Sequence, residues 1–102
     1  MEQSFETMWR MAKLAGGIDT TVRLIETVIE VVPTLKFRNI AGKEMPIRDL
    51  AGLARSVQAA TSVPHGTSLD ERDVRFIEDK FLAVQAEMGT MLAQLAATSA
   101  RE

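Results

Sequence analysis

His65 is the only histidine of the chain, and it sits in the loop-forming sequence Pro64-His65-Gly66. A histidine acts as a general base when a nucleophile or carboxylate is held within hydrogen-bond reach. The sequence offers no such pattern: cysteine is absent and no G-x-S-x-G occurs. His65 is expected to be a solvent-exposed loop residue. Asp70-Glu71-Arg72-Asp73, followed by Glu78-Asp79, is the densest acidic stretch. Carboxylates on one helix hold a hard cation when a second helix adds ligands, and the Glu-x-x-His pair of such sites is missing. Complementing the positive end of a helix dipole accounts for the run without a metal. The glycines form no phosphate-cradling motif. No catalytic residue, cofactor site or metal site is assigned, and an enzyme is not expected.

The basic residues come next. Residues 34–67 carry five bases (Lys36, Arg38, Lys43, Arg48 and Arg55) against two acids, between two net-acidic segments. Such a patch could touch phosphate, or balance acidic neighbours or an acidic partner. IRDLAGLARSVQAATSVP resembles the opening of a helix-turn-helix motif, with Asp49, Leu50, Ala51 and Ala54 where that pattern wants them. The likeness fails at the turn. Arg55 stands where glycine is usual, Ser56 where an apolar residue is usual, and Pro64 would break the recognition helix. The net charge of −2 also argues against a dedicated nucleic-acid or membrane-surface binder. Trp9, with Met8 and Met11, makes a soft apolar end to the first helix. Tryptophan is frequent in binding hot spots and methionine surfaces adapt to partners, so Trp9 and Met8 are partner-binding candidates; the alternative is that Trp9 is core.

These residues must be positioned by helices. Ser4 is the expected N-cap of a first helix with the stripe Phe5, Met8, Trp9 and Ala12. Gly16-Gly17 is expected to end it, because glycine readily takes the left-handed C-cap conformation. Asp19 or Thr20 would then cap a second helix carrying two apolar stripes: Val22, Ile25, Ile29 and Val32, and Leu24, Val28 and Val31. Two stripes predict burial on most of the circumference, and Pro33 stops the helix. Residues 34–46 alternate in a strand-like way around Leu35 and Phe37, which predicts a short β-hairpin or an irregular connection. Pro46 suits the first turn of a third helix with the stripe Ile47, Leu50, Ala54 and Val57, and Leu53 beside it. Ser68 and Glu71 read as a capping box opening a last helix over about residues 69–97.

Val74, Ile77, Phe81, Val84, Met88, Met91 and Leu95 alternate in steps of three and four along that last helix. Its expected length is about 43 Å. A compact domain of this size is about 34 Å across, so three short helices would leave part of the seam uncovered. A partner chain is therefore expected on the seam. Phe and Met at core positions and the like charges Asp73 and Glu78 disfavour a parallel zipper; an antiparallel pairing or a two-chain bundle fits better. Gly89, in a small-residue stripe with Ala86, Ala93 and Ala97, would let another helix approach closely.

The expected fold is a single all-α domain over residues 1–102, a three- to four-helix bundle with a long C-terminal helix. An apolar share of 46% fits a globular chain. The absence of cysteine and of a basic, apolar leader fits the cytoplasm. Arg23, Glu26 and Glu30 interrupt the longest apolar run, so no membrane span is expected. The expected function is a small non-enzymatic protein-binding module, an adaptor, accessory factor or regulator, acting through helical apolar surfaces as a homodimer and on another protein. The alternatives are a nucleic-acid-associated protein using the basic 36–55 segment and a non-catalytic subunit of a larger assembly.

Overall fold

Met11, Leu14, Ile18, Val22 and Ile25 step by three and four without interruption, and all five are buried. One helix keeps them on one side only if it runs straight through Gly16-Gly17. It does. The computed structural model, which describes residues 5–62 and 70–100, contains three helices, α1 (Phe5–Val31), α2 (Ile47–Thr61) and α3 (Glu71–Ala100), and two strands, β1 (Lys36–Arg38) and β2 (Glu44–Pro46). It is an all-α bundle with a small antiparallel hairpin between α1 and α2.

The expected break at Gly16-Gly17 is thus corrected. Neither glycine takes a positive φ. The hydroxyls of Thr20 and Thr21 donate to the carbonyls of Gly16 and Gly17 at 3.1 and 2.9 Å. Asp19, instead of capping a new helix, accepts a hydrogen bond from Gln58 Nε2 of α2 at 2.8 Å. Gly17 has a different reason to be glycine: a Cβ there would lie 2.9 Å from Cζ of Phe81 on α3. The residue permits a close helix–helix approach. Ser4 lies outside the described residues.

The second stripe expected on this helix does not make it a central one. Ile18, Val22 and Ile25 are buried, but Leu24 is 42% exposed and Val31 76%. The α1 helix ends before Pro33, and a last helical bond runs from Val32 N–H to Val28 O at 2.8 Å.

Residues 34–46 do form the hairpin, and its turn chemistry explains why. Asn39 N–H bonds Lys43 O, Gly42 N–H bonds Asn39 O, and the Asn39 side chain accepts from Lys43 N–H at 2.9 Å. Gly42 has φ +82°, the left-handed position a three-residue hairpin loop requires. Phe37 is buried beneath the hairpin while Lys36 and Arg38 face out. A two-stranded ribbon is marginal alone, and here α3 holds it. The Gln94 amide pairs with both backbone groups of Arg38, accepting from its N–H at 2.9 Å and donating to its carbonyl at 2.7 Å. The β1 edge is thereby occupied by a side chain that imitates a strand.

Ser68 lies outside the described residues. The cap that the structure does show on α3 is Asp70, whose Oδ1 accepts from Asp73 N–H at 2.9 Å. Glu71 turns instead toward Arg10 and Arg75, each at 3.5 Å.

The premise that the last helix outruns its own body also changes. The described body is elongated, 57 × 25 × 19 Å, with a radius of gyration of 15.7 Å. Fusing the first two helices makes α1 27 residues long, against 30 for α3, so the two long helices match. Val74, Ile77, Val84, Met88 and Met91 are buried within the chain, and Phe81 and Leu95 pack against the same core. No helix among the described residues is long and apolar enough to cross a membrane.

Candidate functional site

With its seam closed internally, α3 meets solvent along its flanks. One flank forms, with α2 and the hairpin tip, an apolar groove of about 680 Å³. The α2 wall comes from Leu53, Ser56, Val57 and Ala60, one turn apart and beside the α2 core stripe. The α3 wall comes from Phe76, Ile77, Lys80, Ala83, Val84 and Glu87, and Ile40 and Ala41 close one end. Three large side chains stand open in it: Ile40 at 64% exposure, Leu53 at 49% and Phe76 at 62%. Its volume is in the range of binding clefts.

The hairpin tip is fixed in place. Ile40 N–H donates to Glu87 Oε1 at 2.9 Å. Glu87 and Gln94, one heptad apart on α3, therefore hold the ribbon at two points and set Ile40 over the groove. At the other end Lys80 Nζ stands 5.3 Å from the Phe76 ring centroid, a cation–π arrangement. Among the described residues no carboxylate pairs with Lys80.

The α1 line Arg10, Gly17, Leu24, Val31 is spaced by seven, and its first two members meet α3. Its lower half is closed. Arg10 forks onto Glu78 through Nε at 3.2 Å and through Nη2, and Phe81 covers Gly17. The hydrogen bond from Arg10 holds the Glu78 carboxyl below the usual carboxylate range, desolvation opposing it. It likewise raises Arg10. The upper half leaves Leu24 and Val31 exposed, and α3 exposes Leu82 and Leu92.

The sequence-predicted residues fall as follows. The seam residues are brought together, in the core of the chain. Gly89 is exposed, and a Cβ at that position would meet nothing within 4 Å; Ala86, Ala93 and Ala97 are exposed with it. Trp9 and Met8 are exposed, at 55% and 52%, and Lys13 lies over the indole at 5.8 Å; the core alternative for Trp9 is not what the structure shows. The basic residues fall in two places, Lys36, Arg38 and Lys43 on the hairpin and Arg48 and Arg55 on α2. Lys36 pairs with Glu44 and Arg55 with Glu26, each at 3.5 Å. Arg38 Nη1 donates to Gly42 O, and Arg48 lies with Arg55 near Glu26 and Glu30 of α1. The α2 helix runs unbroken to Thr61, with no turn at Arg55-Ser56. His65 lies outside the described residues. Among the described residues no three His, Cys, Asp or Glu side chains gather as a metal site.

Sequence reasoning missed Ile40 and Phe76. The signal was present: Phe76 is a large apolar residue off the core stripe of α3, and Ile40 is one in the hairpin turn.

No protein-family model, curated protein or solved structure matches the chain.

Proposed function

We propose that this protein is a small, non-enzymatic protein-binding module whose recognition surface is the α2–α3 groove. The observation that carries the reading is the joint exposure of Ile40, Leu53 and Phe76 around one apolar cleft. Large apolar side chains grouped in a cleft mark interaction sites, whereas scattered ones do not. A cytoplasmic adaptor, accessory factor or regulator fits this surface. The direct test is site-specific photo-crosslinking in the native cell. A photoreactive residue at position 53 should give a discrete heterologous product. The same residue at position 23, on the exposed polar side of α1, should not. Equal labelling at both positions, or none at 53, would refute the reading.

A second reading, self-association, has its own support. Gly89 and its alanine neighbours are exposed, as are Leu82 and Leu92, and no neighbour among the described residues lies within 4 Å of a Cβ at 89. In this reading a second copy approaches that face. Gly89→Leu should then shift sedimentation toward the monomer while the circular dichroism stays unchanged.

A further inference from the structure

The charges along the groove say what kind of protein segment it takes. Its α3 wall, from Phe76 to Glu87, extends over about 16 Å, three helical turns. Two charged side chains lie on it, seven residues apart. Glu87 is committed to the hairpin through the Ile40 N–H. Lys80 has no carboxylate partner among the described residues, and its ammonium stands beside the exposed Phe76 ring. Among the described residues, the one charge on this wall without an ion-pair or hydrogen-bond partner is therefore positive, and it sits toward the Phe76 end.

We infer that the occupant is an amphipathic helix of about three turns, with apolar residues at i, i+3 or i+4 and i+7, and a carboxylate facing Lys80. This rests on the reading of the groove as a protein-binding surface and adds the chemistry of its partner. Two helices flanking a cleft accept a third through such anchors. Ile40, Leu53 and Phe76 are the exposed apolar side chains that such a helix would cover. The carboxylate sets direction as well as identity. Opposite Lys80 it is attracted; two turns along, opposite Glu87, it is repelled. An acid at one end of the ligand helix, and none at the other, fits the groove in one orientation only. A lipid tail is the less suited occupant, because Leu53 and Phe76 are open to water along the cleft and would leave an acyl chain half exposed.

The experiment is selection from a displayed library of helical peptides with randomised faces, on the full chain. Leu53→Asp and Phe76→Asp serve as counter-targets. Both positions are exposed, so the fold should persist, and circular dichroism checks that. The expected result is enrichment of amphipathic sequences with Asp or Glu at one end of the apolar face. For a selected peptide Lys80→Gln should weaken binding about fivefold, the order of one ion pair at a rim. Lys80→Glu should invert the selected charge. Enrichment of groove-dependent peptides that are basic, or not helical, overturns the partner chemistry and leaves the binding module standing. No enrichment over the counter-targets overturns both. Myristate titrated in parallel closes the remaining case: groove-dependent binding of myristate without peptide enrichment makes the occupant a lipid and the inference wrong.

Discussion

Replacing Gly16 and Gly17 one at a time by alanine reads out the continuity of α1. In a helix interior alanine is better than glycine by about 0.8–1.0 kcal/mol. Gly16 is exposed and a Cβ there meets nothing within 4 Å, so Gly16→Ala should stabilise by about 1 kcal/mol. Gly17→Ala has the same propensity gain, but its Cβ arrives 2.9 Å from Phe81 Cζ. The ring edge must swing away, and overpacking costs about 1–3 kcal/mol. Gly17→Ala should therefore be neutral to destabilising by about 2 kcal/mol. In a Phe81→Leu background the clash is gone and Gly17→Ala should gain again, a coupling that the double-mutant cycle measures directly. The assay is urea unfolding followed at 222 nm, with m-values held equal. The outcome that refutes the reasoning is a loss of about 1 kcal/mol or more for Gly16→Ala. A left-handed C-cap glycine would give that loss, and it would mean two short helices in place of α1.

Stability should fall on acidification through the Arg10–Glu78 fork. The folded pKa of Glu78 is depressed, so its contribution is present above the unfolded value and is lost as pH drops through the folded one, the unfolded chain binding the extra proton in that window. Glu78→Gln should flatten urea midpoints measured between pH 7 and pH 3; an unchanged slope counts against the fork. Gln94→Ala should cost about 1 kcal/mol for the two bonds to Arg38, and the Arg38 amide should exchange faster than in the wild type. Duplex DNA at low salt should show no binding that a Lys36/Arg38/Lys43 triple alanine variant abolishes. A steep salt dependence that vanishes in that variant would restore the nucleic-acid alternative.

How far the sequence reaches can be seen residue by residue. The α3 seam is legible because steps of three and four over Val74 to Leu95 have one structural solution. The hairpin is half legible: alternation around Phe37 marks the strand, but the Gln94 amide that seats it comes from 56 residues away. The glycine pair misleads for a physical reason. Glycine both ends helices and admits close neighbours, and the second use depends on Phe81, which no local pattern brings to Gly17. The consequence spreads to the other end of the chain. A short first helix makes α3 look unsheltered, which puts the expected partner surface on the seam. The groove is hinted at only by residues that break a stripe, Leu53 beside Val57 and Phe76 beside Ile77, together with Ile40 in a turn where a polar residue is common.

The groove also limits how tightly it can bind. Full burial of a large apolar side chain is worth about 1.5–3 kcal/mol, and Ile40, Leu53 and Phe76 are already about half covered. These three therefore gain about 3–5 kcal/mol on the groove's side, and the docking helix's own anchors add a similar amount, which is of the same order as the cost of about 4–15 kcal/mol for lost translational and rotational freedom. A three-turn helix held by the anchors alone would dissociate readily. The carboxylate opposite Lys80 and contacts beyond the ends of the groove must supply the surplus. A partner that presents its helix from a folded scaffold loses less freedom on docking than a free peptide does, so grafting a selected peptide onto a rigid helical carrier should tighten binding by at least about tenfold over the same peptide free in solution. Equal affinities for the two forms would mean that ordering the ligand helix is not what limits association, and that the anchors hold it more strongly than their exposed area allows.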